Sequence, residues 1–571
     1  MHLLAAGLAG LAALVTYLPA LSNGFVWDDP LVLRQLRQFD DWWDLLIMPP
    51  EVPRYYYRPL VFLTYLLDRS VGGETPYWFH LSVVALHLAN TLLVYRLAVV
   101  VLGNSVSVAF LAALLFAVTP IHVESVAWIA GRADVLACAF LLISALLVVR
   151  RSGWGGSYQL AAVMYFLALL AKESAITGMV VIPLLSRLHR RRIDWRDVAP
   201  FVVATIAYLL LRKQSGGAFI GGAESSLDVF ESAQLTLQAL GYYVVCSIAP
   251  VSITPYIASV PESPVYLVVG VLSMVAAALV PRALRATDRA RCYGLLTWFF
   301  LTLMPSFVVL YRESASAPIA DRYLYIPSVA SCMLLAWLLV ALARTLRLSV
   351  AWPVAAGLAF SAVLALRSAT YARVWADDLS LWTEVIASGP PSALALTQLG
   401  SALMDAGRFE DAQRTLEAAL KEPSTPTQLA MVHGNLGVVY RRQGKLTEAY
   451  EAFNAGARLA PHPVTFHGLG MTLMGLAEQA QGRGDSQAVV DNVKAARKAL
   501  EIAIELGNSP SADGVFLEQW QPAKTYVLLG QVLGALGDGA AARAQYLAAL
   551  GVEPNGPVAN VARQQLLSLP P

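Results

Sequence analysis

Apolar residues gather in long runs over the first two thirds of the chain: 3–21, 77–102, 105–120, 133–149, 157–171, 174–188, 198–212, 265–281, 293–310, 322–342 and 351–367. A helix needs about 20 mostly apolar residues to cross roughly 30 Å of hydrocarbon. The runs approach or exceed that length, and the pattern predicts eleven transmembrane helices. The first run has small residues near Ala20 but no basic start, so it reads as a bundle helix rather than a cleaved leader. A further apolar stretch, 234–250, is short and followed by Pro250 and Pro255, and is read as re-entrant or interfacial.

After residue 371 the pattern becomes one of amphipathic helix pairs. Leu399-Gly400, Leu436-Gly437, Leu469-Gly470 and Leu529-Gly530 each open a pair, and turn glycines Gly407, Gly444 and Gly537 follow in the first, second and fourth. Ala412, Ala449 and Ala542, then Leu416, Phe453 and Tyr546, come at fixed offsets, and Pro461 and Pro554 close two copies. These are tetratricopeptide positions. The third copy is read as stretched by a polar insert over 481–492, and 377–391 as an unpaired helix leading in. The expectation is an all-α protein: a polytopic transmembrane bundle over 1–371, then a tetratricopeptide α-solenoid over 372–571. Such a stack holds an extended peptide, or serves as a spacer or dimerisation arm.

Composition sharpens this division. The chain of 571 residues is 57% apolar and 14% charged, with mean hydropathy +0.56. Soluble domains run at roughly 45–50% apolar and about 25% charged, so disorder and a small soluble enzyme are excluded. Up to residue 371 there are 26 basic and 20 acidic residues, and beyond it 15 and 19. Neither part is basic enough to suggest nucleic acid. Cys138, Cys246, Cys292 and Cys332 sit in apolar runs without CxxC spacing and read as small hydrophobes. Arginine clusters at 150–151, 187–196, 282–291 and 344–347 are placed inside by the positive-inside rule. The amino terminus is then cytoplasmic, and residues 22–76 and the repeats lie outside.

Charges beside apolar spans are costly, so those that persist are functional candidates. On the expected outer side lie Trp27-Asp28-Asp29, Tyr57-Arg58-Pro59-Leu60, His80 and His87, His122-Val123-Glu124, Gly131-Arg132-Ala133-Asp134, Lys172-Glu173 and Asp321-Arg322-Tyr323. Each has a plainer reading. One aspartate could cap the helix starting near Pro30. Arg58, Arg132 and Arg322 could anchor helix ends at headgroups. Glu124 and Asp134 could pair with Arg132 or Lys172. His80 and His87 suit packing or hydrogen bonding better than metal ligation, and His122 with Glu124 lacks a third ligand at zinc spacing. Trp27, Trp42 and Trp43 with Tyr55, Tyr56 and Tyr57 suit an interfacial belt or sugar stacking.

Five motifs in this order resemble the TMTC family of transmembrane and tetratricopeptide-repeat O-mannosyltransferases, membrane enzymes of the GT-C class. They are Trp-Asp-Asp, Tyr-Arg-Pro-Leu, His-x-Glu with Gly-Arg-Ala-Asp, Ala-Lys-Glu-Ser and Arg-Tyr-Leu-Tyr-Ile-Pro-Ser, ahead of Trp375 to Trp382 and the repeats. Arginine outnumbers lysine 34 to 7, which suggests a bacterial relative in the inner membrane, with its site on the periplasmic side (the luminal side of the ER membrane for a eukaryote). The resemblance implies a polyprenyl-phosphate monosaccharide donor, mannose in the family, and a Ser or Thr hydroxyl of an exported polypeptide recruited by the repeats. It implies inversion by direct displacement, with no cofactor and no metal. Asp28 or Asp29 would be the base. Arg58, Arg132, Lys172 and Arg322 would hold the phosphate, and His80, His122, Glu124, Asp134, Glu173 and Tyr323 would position sugar or acceptor. The rivals are an O-antigen-ligase-like glycan transferase, which needs a large late outer loop, a membrane-anchored repeat scaffold, and a transporter with midplane charges.

Overall fold

The computed structural model describes residues 1–36, 42–46, 57–149, 157–185, 194–215, 228–250, 253–311, 317–509 and 520–569. The side chains of Trp42 and Trp43, and Tyr55, Tyr56, Arg150, Arg151, Arg187 and Arg190 to Arg192, lie outside the described set. Two compact units are present, Met1–Gly389 and Pro390–Pro571. The first therefore extends past residue 371. Its last helix, Asp378–Ser388, buries Leu381, Trp382 and Val385 within it and is not an unpaired lead-in.

Among the described residues of the first unit, seven helices are long and apolar enough to cross a membrane: His2–Ser22, Pro76–Val101, Ile129–Val149, Pro264–Ala283, Ala286–Leu310, Ser328–Thr345 and Ala351–Trp375. An eighth crossing is available if Val106–Val118 and Pro120–Ala127, bent by 51°, count as one. The expected total of eleven is not reached, for two physical reasons. Ser157–Ala171 has only 15 residues, and at about 1.5 Å per residue that falls short of the hydrocarbon thickness. Trp195–Gln214 is long enough but carries Arg196, Asp197, Arg212 and Lys213 at its ends.

Residues 22–76, expected outside the membrane, contain the helices Asp29–Leu36 and Pro59–Gly72. Pro59 stands at a first helical position, where its missing N–H costs nothing. The stretch near 234–250 belongs to a 20-residue helix, Val229–Ile248, packed on Pro264–Leu279. A Cβ on Gly241 would fall 1.8 Å from the Tyr266 carbonyl and one on Gly270 2.1 Å from that of Leu237, so the two backbones touch there. Small residues permit this close approach in lipid. All four cysteines are buried and unbridged.

Among its described residues the second unit has four helix pairs and a last helix, Pro557–Ser568. In every pair a glycine of the first helix receives a large side chain of the second: Leu416 against Gly400, Phe453 against Gly437, Leu500 against Gly470, and Tyr546 against Gly530. The third copy holds no polar insert. Its helices, Pro463–Gly482 and Ser486–Gly507, are both longer and turn at Gly484 with φ +76°. Gly484 follows Gly470 by fourteen positions where Gly407 follows Gly400 by seven. Seven residues are close to two helical turns, so the buried face stays in register.

Candidate active site

Residues 23–28 connect the first span to the helix Asp29–Leu36, and long-range bonds pin them. The Gly24 N–H donates to the Ala376 carbonyl at 2.8 Å and Asn23 Nδ2 to the Ala372 carbonyl at 2.9 Å. The Trp27 N–H donates to Asp378 Oδ1 at 2.7 Å. Trp27 is held at φ +58°, a strained conformation for a bulky residue that persists only when its surroundings impose it. Those surroundings are aromatic. The Trp27 ring stacks on Trp128 at 5.1 Å and meets Trp382 edge-on at 5.3 Å, and Trp128 stacks on Trp375 at 5.7 Å.

The two aspartates after Trp27 differ sharply. Asp29 is buried, and both carboxylate oxygens accept backbone N–H bonds, from Val26 at 3.0 Å and Ala130 at 2.9 Å. It ties this loop to the turn at 129–131. Burial, then the charge of Asp28, pushes its carboxyl well up. Asp28 is half-buried, and its Oδ1 is buried without a hydrogen-bond partner. Burial raises the Asp28 carboxyl to about 6, opposed by the nearby charges of Arg322 and, more weakly, Arg58.

Arg322 and Arg58 act on Asp28, Arg132 acts on Asp29, and Lys172 lies near both Arg58 and Arg322. Arg58, Lys172 and Arg322 are each held by an acid from another element. Arg58 donates from Nε and Nη2 to Glu173 at 3.0 and 2.7 Å. Lys172 donates to both oxygens of Asp134 at 2.5 Å. Arg322 pairs with Glu124 through its side chain and also through its backbone N–H, at 2.8 Å. Tyr323 lies between two of the cations, with Arg322 5.1 Å and Lys172 5.6 Å from its ring. Trp128 is 5.4 Å from the Arg322 guanidinium. A Cβ on Gly131 would meet the Glu124 carbonyl at 2.7 Å, so the glycine before Arg132 lets these two turns close up. The Arg58 and Arg322 side chains keep 17% and 18% of their surface exposed and Lys172 8%. The arginines can therefore meet a ligand more readily than the lysine.

Other expected site residues are placed elsewhere. Arg132, expected among the phosphate ligands, has no exposed surface. Its guanidinium is spent on Asp68 at 2.5 Å, Thr64 at 3.1 Å and the Phe79 carbonyl at 2.8 Å, over the Tyr65 ring. His122 is buried, 2.7 Å from Ser328 Oγ and packed on Phe116 and Tyr325. His80 is buried 3.3 Å from the Gly24 carbonyl, behind the loop. His87 lies 2.7 Å from Tyr325 Oη and 3.1 Å from the Ala117 carbonyl. These three act from inside the protein. Among the described residues, no group of three or more His, Cys, Asp or Glu is arranged to hold a metal ion.

Sequence reading missed two acids, Asp68 and Asp378, and gave a third, Asp321, no role. Asp68 is the partner of Arg132, and Asp378 fixes Trp27. Asp321 is buried, accepts from Tyr242 Oη at 3.1 Å, and is raised to about 8 by burial and then by Glu124. Asp68 could have been found as the one acid within the otherwise apolar stretch 59–68. Nothing local marks Asp378, because its partner is 351 residues away.

Tetratricopeptide-repeat family models match residues 397–462 and 523–555. A Drosophila melanogaster protein O-mannosyl-transferase, Tmtc1, is 37% identical over 193 residues, 31% of this chain and 22% of that protein. Human TMTC1, also a protein O-mannosyl-transferase, is 42% identical over 134 residues, 21% of this chain and 15% of its own. A Caenorhabditis elegans protein O-mannosyl-transferase is 26% identical over 451 residues, 72% of this chain and 62% of its own. The chain spans only 22–24% of the length of the first curated relatives it matches. A solved structure of Pseudomonas aeruginosa pilF is similar at 18% identity with TM-score 0.25, over 37% of this chain and 79% of that one. The chain is thus similar to TMTC protein O-mannosyl-transferases, and its described residues form an all-α structure with helices long and apolar enough to cross a membrane and with tetratricopeptide repeats.

Proposed function

We propose that this protein is a membrane glycosyltransferase that moves a monosaccharide from a polyprenyl-phosphate carrier to a Ser or Thr hydroxyl of an exported polypeptide. Likeness to named protein O-mannosyl-transferases supports mannose as the sugar. One observation carries the site assignment: the partnerless, buried Oδ1 of Asp28 beside two partly exposed arginines.

In the proposed step Asp28 takes the proton of the incoming hydroxyl, a general-base role. The hydroxyl oxygen bonds to the anomeric carbon from the face opposite the carrier, the carbon–oxygen bond to phosphate breaks, and polyprenyl phosphate leaves. Arg322 and Arg58 meet the charge developing on the leaving phosphate. Their forked donors suit its oxygens, and acids held on the protein fix them in place before reaction. Lys172, locked to Asp134 and little exposed, adds field from behind. Asp29 holds the loop, and the Trp27–Trp128 stack offers an aromatic wall to a sugar face. No metal enters this step. The donor headgroup and the repeats are placed on the outer face of the membrane, the periplasmic side in a bacterial inner membrane.

The test is reconstituted protein supplied with polyprenyl-phosphate mannose and a Ser/Thr-containing peptide, with products read by mass spectrometry. Transfer by the wild type in the presence of EDTA, lowered by about 10²–10⁴-fold in Asp28→Asn, is expected. No transfer from the carrier, full loss in EDTA, or undiminished activity in Asp28→Asn would each overturn the reading.

A further inference from the structure

The second unit carries 14 basic and 16 acidic residues, yet one of its surfaces is cationic. A cavity of about 520 Å³ is walled by the first helices of three successive repeats, Pro426–Arg442, Pro463–Gly482 and Pro522–Ala535, and by the last helix, Pro557–Ser568. Its lining residues Val464, His467 and Met471 recur at i, i+3 and i+7, and Lys524, Val527, Leu528 and Gln531 at i, i+3, i+4 and i+7. That spacing places each set on a single helix face, turned to the same groove. A second cavity, of about 620 Å³, shares Arg441, Met471 and Leu528 and so prolongs the first.

The groove floor is apolar, mostly aliphatic with Met471 and Trp520, and its charges are Arg441, Arg442 and Lys524. Glu478, in the second cavity, is the one acid among the lining residues. Among the described residues none of these cations forms an ion pair, whereas Arg408, Arg414 and Arg497 elsewhere in the unit all do. Arg441 Nε is buried with no hydrogen-bond partner. Burial, then Arg441 and Lys524, lowers the His467 imidazole to about 4, so the histidine is neutral near pH 7 and the field is set by the three cations. A buried donor without an acceptor is a standing cost that a bound anion removes.

We propose that this groove binds an extended peptide segment in which carboxylate side chains alternate with aliphatic ones. The apolar floor takes the apolar side chains, and Arg441, Arg442 and Lys524 take the carboxylates. This deepens the proposed function by giving the class of polypeptide the repeats would select. Binding is read without transfer, so the two can fail separately.

The experiment is fluorescence anisotropy on the full chain in nanodiscs, with three labelled nonapeptides. One alternates Asp/Glu with Val/Leu, one has Asn/Gln in place of the acids, and one has Lys there. The acidic peptide is expected to bind about tenfold tighter than the neutral one or more, and to weaken as salt is raised. Arg441→Gln with Arg442→Gln and Lys524→Gln should abolish that preference while helicity and melting temperature hold. Arg442→Glu with Lys524→Glu should turn it toward the Lys peptide. Equal binding of acidic and neutral peptides by the wild type, or an unchanged preference in either variant, overturns the proposal. Self-association that these variants abolish would assign the groove to a second copy of the chain and overturn it as well.

Discussion

The first unit contains two groups of buried charge built to opposite ends. Arg132 is closed to solvent: Asp68, Thr64 and the Phe79 carbonyl take its two terminal nitrogens, Nε is buried without a hydrogen-bond partner, and Tyr65 covers the guanidinium. Around Asp28 the arrangement is left open. Arg58 pairs with Glu173 and Arg322 with Glu124, each keeps a share of exposed surface, and Asp28 Oδ1 is buried without a hydrogen-bond partner. A charge paired with a carboxylate and wholly shut off from water is a structural joint. A buried carboxylate oxygen without a partner, next to cations within reach of a ligand, is where chemistry belongs.

The comparison can be broken in four places, from the largest expected effect to the smallest. Asp28→Asn should lower transfer by about 10²–10⁴-fold with an unchanged melting curve. Asp29→Asn should instead lower the melting temperature, because it loosens two backbone bonds. Asp68→Asn strands the Arg132 charge and should cost about 3–5 kcal/mol of stability, read by thermal or denaturant unfolding, while the fraction still folded keeps its turnover. Arg322→Gln should reduce the rate by about 10²–10³-fold, and Arg322→Lys should restore little, because the planar fork is lost.

The smallest effect is the response to pH. Asp28 must be ionised to accept a proton, and its carboxyl stands at about 6. Transfer should therefore be flat above pH 6 and fall about tenfold per unit below it. Activity that rises on acidification would contradict a basic role for this carboxylate.

Much of this was legible in the chain. The repeat register, the apolar runs and the charged motifs that ring Asp28 all carry local signatures. What escaped has physical causes. The expected crossings exceed the candidate spans among the described residues where apolar runs become short helices, as at Ser157–Ala171, or carry charges at their ends, as at Trp195–Gln214. Asp28 and Asp29 are neighbours of one residue type, and only tertiary contacts give one a backbone cradle and leave the other bare. Arg132 matched a phosphate ligand by type and expected side, and its partner, Asp68, sits in a helix to which the apolar runs gave no element. Two extra turns in each helix of the third repeat looked polar because they extend beyond the packed face.

The most direct measurement is a cryo-EM structure of the full chain with polyprenyl phosphate bound. The phosphate should lie against the guanidinium groups of Arg58 and Arg322, with Asp28 Oδ1 facing the space beside it and Arg132 still closed on Asp68. A phosphate seated on Arg132, or an Asp28 carboxylate turned away from the headgroup, would contradict the assignment.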